Sequence, residues 1–280
     1  MKRIAFSNLA APGWTLERTL EAVGEYGYDG LELRLLDGEP IDPASVDAET
    51  RRGVGKALAR TAVTLVSLDT SIELARPFER GLPAALELAS DWGAPTVRVF
   101  GGEAPALHEI ARRLEPALDR AEQLGVTIAL ETHDSFASAA LVAELLQRVG
   151  IERFAALWDV HHPYRVGESP EEVVRALGAS IHLVHVKDAR RRGDGWELVP
   201  LGDGEVPVRE SLAALHAAGY DGWLTVEWEK RWHPELDEPE VALPRDLETL
   251  QRWLGGYENS GTSFRRSASS SIVSSDGRDS

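Results

Sequence analysis

Eight short apolar stretches alternate with longer amphipathic segments along this chain, and that alternation restricts it to folds built on a parallel sheet. The stretches are RIAFSN, GYDGLELRLL, TLVSLDTS, PTVRVFGG, TIALETH, FAALWDVHH, IHLVHVKD and GWLTVEWE. Helical periodicity is expected over residues 16–26, 48–60, 78–92, 106–124, 138–149, 170–177, 208–218 and 239–254, with Gly30 as a turn before the second strand. Strands separated by helices cannot pair as hairpins, and right-handed crossovers then allow an open doubly wound sheet or a closed barrel. Eight units favour closure. The segment from Asn8 to Trp14 holds a single glycine, so no dinucleotide-binding fingerprint follows the first strand. The expected α/β architecture is a single (β/α)8 TIM barrel over 1–257, followed by a disordered Ser-rich tail over 258–280. Nine of the 21 residues from Ser260 to Ser280 are serine, and few large side chains there offset the entropy of ordering a backbone.

A chain of 280 residues with 43% hydrophobic content can bury one large core. No apolar run is long enough to span a membrane, and Ser7, Asn8, Pro12 and Gly13 interrupt what a signal peptide would need to keep continuous. A cytoplasmic location is the expectation. The absence of cysteine excludes disulfides, thiolate metal sites and cysteine nucleophiles, so any metal must be held by oxygen and nitrogen. A net charge of −16 opposes a phosphate backbone, and nucleic acid is not an expected partner. A homodimer is compatible with such a barrel, although no segment specifies an interface.

Four of the last strands end on metal-ligand residues: Glu131, Asp159, His185 and Glu227. Side chains two apart on a strand share a face, which groups Ala129 with Glu131, Leu157 with Asp159, Leu183 with His185 and Lys187, and Thr225 with Glu227. Each ligand is thus expected to point inward, late on its strand, where barrel enzymes build active sites. Any one such residue alone reads best as a helix cap or a solvated charge. Three converging carboxylates without a cation would repel one another, so the set points to one divalent metal. Three carboxylates and one imidazole form a hard shell suited first to Mn²⁺, with Mg²⁺, Co²⁺, Fe²⁺ or Zn²⁺ as alternatives.

The order Glu, Asp, His, Glu on strands five to eight, His162 completing Asp-x-x-His with Asp159, the HVKD at 185–188, and LGDGEVP followed by GYDGWLTVEWE resemble the sugar phosphate isomerase/epimerase family of xylose isomerase-like barrels. The resemblance spans nearly all of the chain outside the tail. It implies a metal-dependent isomerase or epimerase of a small carbohydrate or keto-polyol, with proton transfer through a metal-stabilised enediolate. Glu131 and Glu227 would be the catalytic acid and base, also touching the metal, while Asp159 and His185 mainly hold it. It further implies substrate-binding roles for His162, in preference to its neighbour His161, and for Arg191 in the loop after strand seven, where the run Arg190-Arg191-Arg192 reads equally as solvated loop charge.

Other residues carry two readings each. Lys187 points into the mouth to neutralise a developing oxyanion, or it pairs with a surplus carboxylate. Glu32 and Arg98 share inward faces and bind substrate hydroxyls, or they pair with each other. Trp14 forms a wall for a sugar ring or packs conventionally. His108, His182 and His216 read as structural. The Gly202-Asp203-Gly204-Glu205 loop lies where barrels often cradle phosphate, yet its two acids argue for an unphosphorylated substrate. The nearest rival activity is an inosose dehydratase-like lyase. Less favoured are an apurinic-site endonuclease-like phosphodiesterase, which needs more histidines and a DNA-binding surface, and a non-catalytic sugar binder.

Overall fold

The computed structural model describes residues 3–35, 45–103, 106–150 and 153–267, with side chains to residue 256. Of the expected tail, residues 268–280 lie outside the described residues. The barrel strands are β1 (Arg3–Ser7), β2 (Gly30–Arg34), β3 (Thr64–Glu73), β4 (Thr96–Phe100), β5 (Thr127–Glu131), β6 (Phe154–Asp159), β7 (Ile181–Val186) and, after an antiparallel hairpin of β8 (Asp188–Arg192) and β9 (Gly195–Val199), β10 (Trp223–Val226). They close in the order β1-β10-β7-β6-β5-β4-β3-β2, and the pairings around the ring are parallel. The helices are α1 (Leu16–Tyr26), α2 (Ala48–Ala59), α3 (Gly81–Trp92), α4 (Leu107–Leu124), α5 (Ala139–Val149), a short α6 (His161–Arg165), α7 (Pro170–Leu177), α8 (Val208–Ala217) and α9 (Pro239–Ser267). Among the described residues, no helix is long and apolar enough to cross a membrane.

Local chemistry explains where the helices begin and which face they bury. Thr15 caps α1 by accepting from the Arg18 amide, and Gly27 ends it at φ 86°, a left-handed turn that glycine adopts without steric cost. Ser169 and Glu172 form a reciprocal capping box at α7, with Pro170 in the first turn. In α4 the buried residues are Ile110, Leu114, Ala117, Leu118 and Ala121, the three-to-four spacing of a single core-facing stripe.

Two cores result. The larger lies between the outer strand faces and the helices and includes Phe6, Leu31, Leu68, Leu86, Leu114, Trp158 and Leu224. The smaller is the floor inside the barrel: Ala5, Val66, Ala129, Leu157 and Leu183, with Trp223 packed against them. Gly30 is the first residue of β2 and belongs to this floor; it is not a turn ahead of the strand. A Cβ there would fall 2.8 Å from Val66 Cγ2 and 2.9 Å from both the Thr64 carbonyl oxygen and Trp223 Cζ3. The pairing of β2 with β3 skips from Leu65 to Ser67 at that level, so the bulge brings Val66 inward as an extra floor residue.

Since the neighbours of Gly30 include backbone and a tryptophan ring, they cannot yield cheaply. Gly30→Ala is expected to destabilise the barrel by about 1–3 kcal/mol through overpacking. In urea denaturation the midpoint should fall with an unchanged slope. A midpoint equal to that of the parent protein would show that the floor has slack.

Candidate metal centre

Directly above the apolar floor the inward positions become ionisable. Register places Asp159 opposite His185 and His185 opposite Thr225, so Glu227, two residues beyond Thr225, arrives beside them from the end of β10. Glu131 closes the group from the end of β5, opposite Leu157. One ligand atom from each of Glu131, Asp159, His185 and Glu227 lies within 4.8 Å of the others, and all four residues are buried. A second group, Glu32, Asp69 and His185, meets the same criterion and shares the imidazole.

His185 is the pivot. Its Nε2 donates to Glu32 Oε2 at 2.7 Å, and Thr225 Oγ1 donates to the other Glu32 oxygen at 2.7 Å. With Nε2 committed to Glu32, Nδ1 is the nitrogen turned toward the other acids, 3.3 Å from Glu227 Oε1 and 3.7 Å from Glu131 Oε1, and it offers a lone pair once its own proton is released. This is how proteins usually prepare a metal-ligating histidine, with a carboxylate fixing tautomer and ring orientation from behind. Glu131 is held from the other side by Arg98, whose Nε lies 3.1 Å from Glu131 Oε2 and whose Nη1 donates to the Thr70 carbonyl. Lys187 Nζ approaches Asp159 Oδ2 at 2.8 Å and Glu227 Oε2 at 2.7 Å, and it also pairs with Glu229.

These contacts decide the protonation states. Burial alone would raise the Glu131 carboxyl, but Arg98 and His185 outweigh it and hold it down to about 2. Glu227 is likewise kept well below the ordinary carboxylate range, against its burial, by Lys187 and His185. At Asp159 burial wins over Lys187 and the carboxyl rises to about 6. Burial and the charge of Glu32 lift Asp69 to about 7. His185 is pushed well above its ordinary value, against its burial, by Glu227 and Glu32.

Wholly inside the barrel, the five carboxylates Glu32, Asp69, Glu131, Asp159 and Glu227 face two permanent cations, Arg98 and Lys187. A divalent ion would remove two of the three surplus negative charges, and a proton on Asp69 can remove the third. His185 Nδ1, Glu131 Oε2 and Asp159 Oδ2 are buried and make no hydrogen bond among the described residues, although the two carboxylate oxygens lie within ion-pair range of Arg98 and Lys187. Buried ligand-type atoms converging in a surplus of negative charge suit a cation. The residues present fit one divalent ion held by oxygen and a single imidazole nitrogen.

A family model described as xylose isomerase-like TIM barrel matches residues 20–253. The chain belongs to the xylose isomerase-like TIM barrel family. It is 26% identical over 219 residues to YihM of Escherichia coli, an uncharacterised protein, covering 74% of this chain and 65% of that one. An inosose dehydratase of Lacticaseibacillus casei is 27% identical over 43% of this chain and 46% of its own length. A fructoselysine 3-epimerase of Escherichia coli is 25% identical over 52% of this chain and 53% of its own. The matches therefore span less than two thirds of these relatives. Among solved structures, the IOLI protein with a binding zinc atom has a TM-score of 0.75 at 18% identity, covering 91% of this chain and 99% of that one. A D-allulose 3-epimerase from Methylomonas sp. has a TM-score of 0.71 at 18% identity, covering 90% and 97%. At such identities the likeness is one of fold. The relatives by sequence carry the names of epimerases, dehydratases and isomerases of small carbohydrates.

The other residues singled out in this xylose isomerase-like barrel divide by depth. Glu32 and Arg98 are almost completely buried and do not pair with each other: Glu32 engages His185 and Thr225, and Arg98 engages Glu131. His162 and His161 both lie on α6, but their rings diverge. His162 Nε2 is 3.7 Å from Asp159 Oδ2 and lines a cavity at the mouth with Arg191, whereas the His161 ring stands edge-on to Trp196 at 5.0 Å. Burial and the charge of Lys187 hold both imidazoles neutral, His161 down to about 3 and His162 well below its ordinary value.

The glycine-rich loop at 202–205 is no phosphate cradle, because its amides are already engaged. Asp188 accepts from the amides of Gly202, Gly204 and Val206 as well as that of Ala189, and a Cβ on Gly204 would fall 2.1 Å from Asp188 Oδ1. The hairpin of β8 and β9 and its Trp196 escaped sequence reading as a polar loop, although a Gly-Asp-Gly turn between RRR and WELV signals one. Asp69 also escaped notice, although it shares a face of β3 with Ser67 and accepts from its hydroxyl at 2.7 Å.

Two measurements test this centre. Glu32→Gln is expected to lower Mn²⁺ affinity by about 10–100-fold in isothermal titration calorimetry, the usual cost of losing the carboxylate behind a metal-bound imidazole. Unchanged affinity would show that His185 is oriented without it. Proton competition should also be visible. The apo imidazole of His185 favours its proton, and Asp159 titrates at about 6. Binding should therefore displace about one proton above pH ~6 and approach two below it, weakening as pH falls. A pH-independent Mn²⁺ affinity would contradict the assignment.

Proposed function

We propose that this chain is a divalent-metal-dependent isomerase or epimerase of a small carbohydrate or keto-polyol, with Mn²⁺ the best-suited ion. The observation that carries the reading is the pair of buried glutamates, Glu131 and Glu227, that both approach Nδ1 of His185, at 3.7 and 3.3 Å. Glu131, Asp159, His185 and Glu227 would hold the ion. Both glutamates are anions through the neutral range, so either can accept a proton from a substrate carbon. Neither is a strong base in the resting site, and the substrate C–H must itself be made more acidic. A divalent ion supplies that chemistry by drawing electron density from a carbonyl and its neighbouring hydroxyl.

The chain's own groups perform the rest. One glutamate removes the proton, and the other returns it to the opposite face for epimerisation or to the adjacent carbon for aldose–ketose exchange. Arg98 fixes the Glu131 carboxylate, while Lys187, against both Asp159 and Glu227, places a positive charge where an oxyanion would develop. Neutral His162, beside Asp159, can donate a hydrogen bond to a substrate hydroxyl without adding charge. Loss of water after the same proton abstraction is the second reading, favoured by the likeness to an inosose dehydratase.

Mn²⁺-loaded protein incubated with ketoses, inososes and hydroxypyruvate in heavy water should place solvent deuterium on the carbon beside the carbonyl of one of them, read by NMR. Glu131→Gln and Glu227→Gln should each slow that exchange by about 10²–10⁴-fold, with Mn²⁺ retention measured alongside. Full exchange in both variants would sink the two-glutamate mechanism. Water loss with a new chromophore and no epimer would select the dehydratase.

A further inference from the structure

Lys187 differs from Arg98, the other permanent cation among the buried acids, in what holds it. The Arg98 guanidinium donates to the Thr70 carbonyl and lies 4.1 Å from the centre of the Phe100 ring, so backbone and an aromatic face fix it beside Glu131. Among the described residues the polar contacts of the Lys187 ammonium are with carboxylates alone: Asp159 Oδ2 at 2.8 Å, Glu227 Oε2 at 2.7 Å, and Glu229. We propose that Lys187 is an internal counter-cation that competes with the divalent ion for Asp159 and Glu227, and that Glu229 is the partner that receives its ammonium when the ion binds. The proposal rests on the metal centre of the reading above and adds Glu229, a residue outside the four ligands.

Three observations support it. The first is that the ammonium and the ion need the same atoms. Asp159 Oδ1 accepts from the His161 amide at 2.8 Å, which leaves Oδ2 as the oxygen to turn toward a cation, and that is the atom beside Lys187. Glu227 is divided in the same way, with Oε1 facing His185 Nδ1 at 3.3 Å and Oε2 facing Lys187. A divalent ion and an ammonium on the same oxygens are like charges a few ångströms apart in a buried site, where little water screens them.

The second observation is the place of Glu229. It lies two residues beyond Glu227, already touches the Lys187 ammonium, and has no part in the four-residue cluster. Its side chain is 19% exposed against 5% for Glu227, so an ammonium that shifts onto Glu229 moves toward water as it leaves the ligands. The backbone around it is fixed: the Glu229 carbonyl accepts from the amides of Trp232 and His233, and the Arg231 amide donates to the Leu9 carbonyl.

The third is the kind of cation. A lysine carries a compact ammonium on a flexible four-carbon stem with three rotatable donors, so it can exchange one carboxylate for another without a change of backbone; a guanidinium held in plane cannot. Lys187 would thus balance the acids when no ion is bound and step aside when one is. Without it the five carboxylates would face one another with Arg98 as their sole permanent cation.

The test titrates Mn²⁺ alone into the metal-stripped full chain at about pH 8, to limit competition by protons, and reads binding by calorimetry. Lys187→Met keeps the length of the side chain and removes its charge. Its Mn²⁺ affinity is expected to rise about tenfold or more, because a unit charge a few ångströms from a divalent ion outweighs that factor even at a protein-like dielectric. Mn²⁺ should also raise the melting temperature of Lys187→Met by more than that of the parent protein, the same gain read through linkage. Glu229→Gln strands the ammonium on the ligands and is expected to weaken Mn²⁺ binding about threefold or more, the scale of a coupling between charged neighbours. In the Lys187→Met background the same substitution should have no effect.

A brace that merely holds Asp159 and Glu227 in place predicts the opposite sign, so unchanged or weaker affinity in Lys187→Met overturns the proposal. Equal effects of Glu229→Gln with and without Lys187 overturn it as well, since Glu229 would then act on the ion directly. If Lys187→Met does not fold, Glu229→Gln decides alone, and undiminished Mn²⁺ affinity there is the overturning result. The two levels fail separately: a parent protein that binds Mn²⁺ no less tightly than Lys187→Met leaves the metal centre standing without the counter-cation, whereas no binding by either refutes the centre itself.

Discussion

The structure turns on the burial of five carboxylates in the upper half of a closed barrel. An ionised side chain removed from water is costly unless opposite charge or hydrogen-bond donors surround it, and here Arg98, Lys187 and the His185 imidazole sit among the acids at close range. Such a layer can form only because the floor beneath it is filled by small and aliphatic side chains that seal the lower end. Gly30 and the bulge in β3 matter for the same reason: they let Val66 and Trp223 close that floor without displacing the strands that carry the charges above. The surplus of negative charge that remains is what suits this cluster to a divalent cation.

Asp188 links the centre to its mouth. It lies one residue past Lys187 and gathers four backbone amides, which pins the base of the β8–β9 hairpin to the 202–206 loop. The strand that delivers His185 thereby also sets where Arg191 and Trp196 stand. The buried ionisable layer and the mouth above it thus share one scaffold, while the hairpin pairs only with itself and lies outside the barrel sheet. Relatives by sequence carry names spanning epimerases, dehydratases and isomerases, and one fold can host different chemistries.

Much of this was legible in the residues alone. Strand parity placed Glu131, Asp159, His185 and Glu227 on inward faces, because alternation along a strand is a local property that needs no knowledge of neighbours. The helix stripes and caps were readable for the same reason. Parity could not say how far each side chain reaches or which of several acids an arginine would choose. Glu32 and Arg98 are both inward, and their sequence positions allow a mutual pair; the register of eight strands instead sets Glu32 under His185 and Arg98 beside Glu131.

The sequence by itself determined the eightfold alternation, the inward placement of Glu131, Asp159, His185 and Glu227 and the exclusion of thiolate chemistry, since these follow from periodicity and composition. Tertiary structure alone decided the Glu32 partner of His185 Nε2, the raised Asp69 and Asp159, the occupation of the Gly202 and Gly204 amides by Asp188, and the meeting of Arg165 with Arg191 across a cavity. Each of these depends on atoms far apart in the chain approaching within a few ångströms, and electrostatic and hydrogen-bond energies fall so steeply with distance that only closure of the barrel could settle them.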